Sequence, residues 1–337
     1  MVIEEMAVLR QQGITVHGAT IYDSIHPTYI LTEQFYCPHF RNLLDAPAYL
    51  RLYRYMRREH ITHLVSALEH ANIIARSIGL FMAWGCFIGI FETGMADRKP
   101  LRYKVLDIIL NLRTNVVIAV SDGVRESLLQ YQPFYAHKTL VVANAVPVPT
   151  SLPLRTEGKV FTVLAVGSLR REKGFDILLD AFSLFIKNTA VDSHLIIIGK
   201  GILGHQLQKQ AEALGIGARV QFLGFVPQEG VYEWYRRAHC FVLSSLSEGH
   251  PLVVLEALSQ GTPTIATRVA GIVDMIENNV SGILVPIGSA KDIADALARF
   301  YASPMLREQL GRGGYMHVKQ KFSFEGHIEH IREALAL

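Results

Sequence analysis

The hydrophobic pattern of the second half of the chain predicts a parallel α/β sheet. From about Lys159 onward, short β-branched runs alternate with glycine-containing turns and helical stretches. The runs predict six strands, over Val160–Val166, His194–Ile198, Val220–Leu223, Cys240–Leu243, Thr264–Thr267 and Gly282–Val285. Helical stretches between them include Phe175–Asn188 and Leu203–Leu214. Apolar strands that alternate with helices are typical of a doubly wound sheet.

The first half of the chain also alternates strand-like and helical stretches, though less regularly, and it predicts a second α/β domain. It opens with a helix, and a further helix is predicted over His70–Phe81. Strands are predicted near Thr15–Thr20, Thr62–Ser66, Phe87–Phe91 and Val116–Val120. An α/β domain normally begins with a strand and a glycine-rich turn, so we expect the N-terminal domain to lack its first strand. The proline-rich segment Asn144–Pro153 favours an extended linker, which places the domains at 1–150 and 151–321.

Composition and charge exclude several classes of protein. Of 337 residues, 33 are basic and 30 are acidic, and this excess is too small to indicate nucleic-acid binding. The N-terminus carries two glutamates where a signal peptide has basic residues, and the apolar runs are too short to span a bilayer. The protein is therefore expected to be cytoplasmic. Three cysteines without CxxC spacing support neither a disulfide framework nor a zinc site.

The loop Gly167–Gly174, GSLRREKG, is a candidate phosphate site. It follows a predicted strand and precedes a helix, and a helix N-terminus after a parallel strand binds anions readily. Lys173 would add a full positive charge there. A solvated basic turn explains the same residues, and the order of residues does not match a Walker A loop.

The segment Gly199–Gly204, GKGILG, matches the dinucleotide pattern GxGxxG. That pattern requires a carboxylate about 20 residues later, to bind a ribose. The next predicted strand and the glycine after it, VQFLG, carry no acid. Packing of a tight turn is therefore the better interpretation of these glycines.

The segment that follows the strand Cys240–Leu243 carries the strongest signal. Pro251 can open a helix at its first position, which would leave the amides of Leu252 and Val253 available to phosphate or sugar oxygens. The helix LVVLEAL is apolar on every side and is therefore expected to be a buried core helix, in which the carboxylate of Glu256 needs a specific partner. Glu256 lies one turn after Leu252 and could reach a ligand at the helix start. Alternatively, Glu256 is a buried hydrogen-bond acceptor and Glu248 a helix-start charge.

Glu248 and Glu256, two acids separated by seven residues, resemble the EX7E motif of glycosyltransferase family 4, which has the GT-B fold. The resemblance covers Val160–Phe324 and includes IIIGKG, VQFLGFVP, EGHPLVVLEALSQGTP, TRVAGIVDMIENNVSGILVP and the closing KFS. It implies two Rossmann-like domains facing a cleft and a last helix, within 322–337, that returns to the first domain. It also implies a retaining hexosyltransferase of the EC 2.4 type, in which the leaving phosphate acts as the base.

The resemblance also implies roles for single residues. Lys173 would bind the diphosphate, Glu256 the ribose hydroxyls, and Glu248 the donor sugar. The remaining donor-binding positions are Gly167, Ser168, Phe225, Val226, Gly249, His250, Leu252 and Val253, with the base near Phe225 and Val226. No metal site is expected, because the chain has no Asp-x-Asp pair. No cofactor is expected either, and the nucleotide diphosphate sugar would be a co-substrate.

Two positions depart from the family, and they keep alternatives open. Thr93 stands where relatives commonly carry a histidine, and Ser168 stands where an arginine is frequent. We therefore expect a transferase acting on a glycan or lipid-linked acceptor in cell-envelope or polysaccharide synthesis, with a non-catalytic nucleotide-sugar-binding homologue or partner subunit as the alternative. A nucleotide-sugar epimerase of the same fold fits the EX7E block less well. The arginines of YLRLYRYMRREH indicate either a peripheral membrane contact or a solvated helix face.

Overall fold

The computed structural model describes residues 2–21, 35–81, 86–95 and 99–337. The chain divides into two compact units. The first consists of Met1–Ala143 with His327–Leu337, and the second of Asn144–Gly326. Each unit contains a parallel sheet with helices packed on it.

From Ala46 onward, helices and strands of the first unit alternate in the order that a parallel sheet requires. Its helices are α1 Val2–Gln11, α2 Ala46–Arg58, α3 Glu69–Phe81, α4 Leu101–Leu110 and α5 Asp122–Tyr131. Its strands are β1 Gly18–Ala19, β2 Phe35–Tyr36, β3 His63–Ala67, β4 Phe87–Glu92, β5 Val116–Ala119 and β6 Thr139–Val141. Short 3-10 turns occupy Asn111–Arg113 and Pro133–Lys138.

Four parallel strands form the main sheet of this unit, in the order β3-β4-β5-β6. The strands predicted near residues 62, 87 and 116 are confirmed as β3, β4 and β5. The strand predicted near Thr15–Thr20 is shorter than expected, because only Gly18–Ala19 forms a strand, which pairs with β2 in a separate two-stranded sheet. The sequence pattern does not predict strand β6, because the strand is three residues long and two of its residues are exposed.

A buried network of charged and polar side chains fixes α4 to α3. Arg76 Nη2 donates to Asp107 Oδ1 at 2.6 Å, and the two side chains are 1% and 2% exposed. Lys99 Nζ bridges two carboxylates, Glu92 Oε1 at 2.8 Å and Asp107 Oδ2 at 3.2 Å. Tyr135 OH accepts from Arg76 Nη1 at 2.8 Å and donates to the Asp107 carbonyl at 3.2 Å. Each buried charge in this network therefore has an opposite charge and hydrogen-bond partners.

Helix α2 carries the arginines that the sequence marked as a possible membrane face. Its apolar residues Ala48, Leu52 and Met56 are buried in the core of the unit. Arg51 donates to the Pro38 carbonyl at 2.7 Å, and Arg58 pairs with Glu59 at 2.7 Å. The apolar side of α2 is thus already covered by protein, and its outer side is basic.

The second unit has a longer and more regular series of elements. Its strands are β7 Phe161–Val166, β8 Ser193–Ile198, β9 Val220–Gly224, β10 Cys240–Leu243, β11 Thr264–Thr267 and β12 Ile283–Val285. Its helices are α6 Phe175–Thr189, α7 Gly204–Ala213, α8 Gln228–Arg237, α9 Leu252–Ser259, α10 Ala270–Val273, α11 Ala290–Ala302 and α12 Pro304–Lys321. All six predicted strands are confirmed to within one residue at each end.

The sheet of the second unit is parallel throughout, in the order β12-β11-β10-β7-β8-β9. The first and fourth strands of the unit, β7 and β10, are neighbours, and the strand order reverses between them. In open α/β sheets, ligands bind outside the carboxyl ends of the strands at such a reversal point. A ligand site is therefore expected at the loops that follow β7 and β10.

The last helix, α13 Phe324–Leu335, begins in the second unit, and its residues from His327 onward pack within the first. His327 Nδ1 lies 2.7 Å from the Ala143 carbonyl, and its Nε2 lies 3.0 Å from Glu5 Oε1. Ile331 and Leu335 join a core cluster with Ile118 of β5. Among the described residues, no helix combines the length and apolar character needed to cross a membrane.

Candidate donor site

The loops that follow β7 and β10 bring together two residues that are 75 positions apart in the chain. Lys173 closes a 3-10 turn, Arg171–Lys173, directly before α6, and Glu248 lies in the loop between β10 and α9. Lys173 Nζ lies 2.6 Å from Glu248 Oε1, and both side chains are largely buried. Ser245 Oγ donates to the same carboxylate oxygen at 2.6 Å. The Glu248 carboxylate is therefore held at the reversal point of the sheet by a cation and a hydroxyl.

Backbone contacts fix these two loops against each other. The Leu246 amide donates to the Glu172 carbonyl at 2.8 Å, and Ser244 Oγ donates to the Lys173 carbonyl at 3.1 Å. Gly174 has a φ of 59°, and a Cβ at this position would lie 2.3 Å from the Ser244 carbonyl oxygen. The glycine that ends GSLRREKG is therefore required both by its left-handed backbone and by the close approach of the β10 loop.

This close approach yields a testable expectation for stability. Gly174→Ala is expected to lower the free energy of unfolding by about 2–4 kcal/mol, because it adds backbone strain and a clash with a carbonyl. Gly215→Ala is the matched control, since Gly215 also has positive φ but has open space around its Cβ position. That control should lose only about 1 kcal/mol in urea denaturation. Equal losses for the two variants would show that the Ser244 contact is unimportant.

Helix α9 starts with amides that no side chain caps among the described residues. The sequence predicted Pro251 as the first helical residue. In the structure Pro251 is the N-cap residue, and the helix begins one position later, at Leu252. The amides of Leu252 and Val253 lie in the first turn, where the positive end of the helix dipole favours an anion. The start of α9 lies directly after the loop that carries Glu248.

Glu256 lies on the open side of α9, which corrects the prediction of a fully buried helix. Leu252, Val253 and Glu256 are half-buried, while Val254, Leu255 and Leu258 form the buried side. Helix α9 therefore keeps one face accessible, and the Glu256 carboxylate lies on that face. This face begins at the helix start and continues to Glu256, as the sequence predicted from the one-turn spacing.

The Glu256 carboxylate is held by two side chains of α8. Tyr235 OH donates to Glu256 Oε2 at 3.1 Å, and Gln228 Nε2 lies 3.4 Å from Oε1. Burial raises the pKa of Tyr235 well above its ordinary value, and the nearby carboxylate of Glu256 adds to this effect. Tyr235 therefore stays a neutral hydrogen-bond donor, and it orients one oxygen of Glu256 without supplying charge.

The glycines of GKGILG pack against the loop that follows β7. A Cβ on Gly199, whose φ is 139°, would lie 1.9 Å from the Gly167 carbonyl oxygen, and one on Gly201 would lie 2.3 Å from the Leu169 carbonyl oxygen. The prediction of tight-turn packing is confirmed. A cavity of about 350 Å³ borders this turn, and its lining includes Lys200 and Gly224 but none of Lys173, Glu248 or Glu256.

A comparison with known protein families covers the unit that holds this site. Residues 153–317 match the model of the family described as glycosyl transferases group 1. The group 1 match contains β7 to β12 and therefore includes both loops at the reversal point.

One curated relative is mannosylfructose-phosphate synthase of Agrobacterium fabrum, which is 30% identical over 177 residues. The alignment covers 50% of this chain and 38% of that protein. The chain thus spans about two fifths of the length of this relative.

Solved structures resemble the chain over most of its length. Sucrose-phosphate synthase from Thermosynechococcus elongatus has a TM-score of 0.82 at 18% identity, with 98% of this chain and 91% of that chain covered. HepE of Anabaena, solved in complex with UDP and glucose, has a TM-score of 0.78 at 18% identity, with 90% and 86% covered. Together with the two parallel sheets, this likeness confirms the predicted α/β GT-B fold.

The other predicted donor positions of the group 1 region lie in loops after strands. Ser168 is exposed directly after β7, next to the half-buried Gly167. Phe225 follows β9 and is exposed, and Val226 beside it is half-buried. The roles predicted for these four residues in binding a donor stay predictions.

The loop residues after Glu248 differ in accessibility. Gly249 is half-buried, whereas the His250 side chain is buried with its ring 5.5 Å from the Phe322 ring. The His250 carbonyl accepts from Asn144 Nδ2 at 2.8 Å. The imidazole thus packs within the unit, and the predicted donor contact at this position stays untested.

Three residues that the sequence analysis did not single out support the two glutamates. Ser245 donates to Glu248, and Tyr235 donates to Glu256. Gly271 of α10 faces the Glu248 loop, where a Cβ would lie 2.1 Å from the Gly249 carbonyl oxygen. Gly271 belongs to the segment TRVAGIVDMIENNVSGILVP, which is part of the resemblance to glycosyltransferase family 4. The sequence alone assigns no role to this glycine.

Thr93 of the first unit lies directly after β4 and is exposed. The residue before it, Glu92, is buried and paired with Lys99. Thr93 therefore follows a parallel strand at its carboxyl end, as the sequence predicted, with a neutral hydroxyl as its polar group.

Proposed function

We propose that the chain transfers a sugar from a nucleotide diphosphate donor to a glycan or lipid-linked acceptor in cell-envelope or polysaccharide synthesis, with retention of configuration. The observation that carries this proposal is the contact between Lys173 and Glu248 at the reversal point of the sheet. The group 1 match of residues 153–317, and UDP in complex with the structurally similar HepE, support a nucleotide-sugar donor.

The donor groups suit a leaving nucleoside diphosphate. When the bond between the sugar C1 and the β-phosphate oxygen breaks, negative charge grows on that oxygen. Lys173 Nζ, which Glu248 holds at the reversal point, and the first amides of α9 can stabilise this charge. Glu256 would accept hydrogen bonds from the ribose hydroxyls, and Glu248 would bind hydroxyls of the donor sugar. These contacts need no cofactor, and the proposal assigns no metal to the reaction.

The proposed retaining step is a same-face substitution. The acceptor oxygen forms a bond to C1 on the side from which the diphosphate leaves, and its proton passes to the departing phosphate oxygen. This route balances atoms and charge, because the diphosphate leaves with one more proton and the acceptor loses one. It also assigns no base to the protein, which agrees with Thr93 standing where relatives commonly carry histidine.

The two glutamates can be separated by their effects on different ligands. Glu256→Gln is expected to weaken binding of both the bare nucleoside diphosphate and its sugar by about tenfold or more, because the ribose loses hydrogen bonds to a charged group. Glu248→Gln should leave bare diphosphate binding no weaker, since it removes a competitor for Lys173, and should lower only the affinity added by the sugar. Calorimetric titration of both variants measures these affinities.

The exposed Glu308 of α12 provides the matched control, and Glu308→Gln should change neither affinity. Equal effects of Glu248→Gln and Glu256→Gln on both ligands would contradict the assigned roles.

A second candidate is a non-catalytic nucleotide-sugar-binding homologue or partner subunit. The observation that favours it is Thr93, which offers a hydroxyl but no imidazole at the carboxyl end of β4. Donor binding without nucleoside diphosphate release, in the presence of a range of glycan and lipid-linked acceptors, would support this candidate over the transferase.

A further inference from the structure

Helix α4 of the first unit has its apolar side facing outward. Leu101, Val105, Ile108 and Leu112 recur at the spacing of one helical face, continuing into the 3-10 turn that follows the helix. These four side chains are between 52% and 80% exposed, and we call them the α4 stripe. Surface helices of soluble proteins normally present polar residues to water, so a continuous exposed apolar face indicates a binding surface.

The opposite side of α4 buries Asp107 together with Leu110, which fixes the orientation of the stripe. Asp107 is on that side, and its contacts with Arg76 and Lys99 tie the helix to α3 and to the end of β4. Rotating α4 to bury the stripe would break those contacts and leave the buried charge of Arg76 without its carboxylate partner, which is strongly unfavourable. The buried ion pair between Asp107 and Arg76 therefore keeps the stripe facing outward.

The exposed charges within residues 99–113 all have the same sign. Between residues 99 and 113 the single acid, Asp107, is buried, whereas Arg102, Lys104 and Arg113 remain at least partly exposed. The Arg102 guanidinium lies 4.9 Å from the Tyr103 ring centroid, and Lys104 Nζ lies 3.9 Å from that of Tyr131. These aromatic contacts hold two of the cations next to the stripe.

An apolar stripe whose own segment, residues 99–113, exposes cations and no acid fits one class of occupant. An anionic lipid surface accepts apolar side chains at the acyl boundary and attracts lysine and arginine at the level of the headgroups. A second copy of the chain would place the cations of two α4 helices close together, which opposes pairing. Helix α2 does not supply such a face, because Ala48, Leu52 and Met56 are buried in the core and Leu50 is its single exposed large aliphatic side chain.

We propose that the α4 stripe is a docking surface for an anionic lipid bilayer, with α4 lying in the plane of the interface. This inference does not depend on the chemistry of sugar transfer, and it can be tested without any donor. It places the membrane contact on α4 rather than on the arginines of α2.

Vesicle flotation tests the proposal with the full chain. The wild type should bind vesicles that contain phosphatidylglycerol at least about tenfold more tightly than vesicles of phosphatidylcholine alone, because several cations lie near the anionic surface. Val105→Glu combined with Ile108→Glu should reduce that binding by about tenfold or more. Ile202→Glu is the matched control in the second unit, since Ile202 is 90% exposed and lies outside the stripe. It should bind like the wild type.

Circular dichroism establishes that each variant is folded, and Leu112→Glu, in the turn after the helix, provides an independent change to the stripe. The proposal is overturned if the wild type binds neither kind of vesicle, or if the stripe variants bind as well as the wild type. It is also overturned if light scattering shows a wild-type dimer that the stripe variants dissociate and that does not bind vesicles, because a second copy then covers the stripe.

Discussion

Replacing Asp107 by asparagine is expected to lower the free energy of unfolding by about 3–5 kcal/mol, the range for removing one partner of a buried ion pair. An asparagine side chain would present an amide where Asp107 now accepts from Arg76, Lys99 and Gln132. Arg76, which is almost fully buried, would keep its charge without a carboxylate partner. Urea denaturation followed by circular dichroism measures the loss.

Two further variants make this expectation specific. Asp295→Asn, in an exposed pair with Lys291, should change the free energy of unfolding by no more than about 0.5 kcal/mol. Combining Arg76→Met with Asp107→Leu should recover part of the loss, because apolar residues can replace a buried pair as a unit. A loss below about 1 kcal/mol in Asp107→Asn alone would show that the network does not stabilise the unit.

The same network predicts a dependence on pH. Burial alone would raise the pKa of Asp107, but the charges of Arg76 and Lys99 outweigh it and hold the pKa below its ordinary value of 3.8. A carboxyl group with a lowered pKa contributes stability above its unfolded-state pKa, and that contribution disappears as the pH falls through the folded-state value. The wild type should therefore lose this stability below about pH 4, and the difference from Asp107→Asn should shrink over the same range.

Lys173→Ala is expected to weaken binding of nucleoside diphosphates by about 10- to 150-fold, which corresponds to about 1.5–3 kcal/mol for contacts to a charged group. The variant removes the cation at the reversal point and leaves the Glu248 carboxylate to repel the diphosphate. The loss of affinity should therefore exceed the loss caused by removing a lysine from the protein surface. Calorimetric titration against wild type measures the change. Lys187→Ala, at an exposed position in the last turn of α6, is the matched control and should bind like the wild type.

The second unit was predictable because each of its strands is a short apolar run bounded by turns. The run Val160–Val166, for example, begins one residue before β7 and ends with it. The first unit was less predictable. Its first and last strands along the chain, β1 and β6, are only two and three residues long. Such strands are too short to show a pattern of alternating burial.

Side-chain partners could not be predicted in the same way. Lys173 and Glu248 were each marked by local sequence, but their contact depends on β7 and β10 being neighbours, which only the topology of the sheet provides. Asp107 and Arg76 carried no local signal, because isolated charges in helices are usually solvated. The accessible side of α9 also went unnoticed, since a short helix of mostly apolar residues does not reveal which face its neighbours cover.

Under the proposed function, the second unit binds a nucleotide-sugar donor, which the chain then cleaves. The most direct measurement combines calorimetric titration of wild type with UDP, ADP, GDP and their common sugars, in buffer with chelator, and phosphorus NMR of the same mixtures. At least one donor should bind with a Kd below about 1 mM and release its nucleoside diphosphate, at a rate that falls in Lys173→Ala. Binding weaker than millimolar for every nucleotide and sugar nucleotide, with no diphosphate released, would contradict the claim.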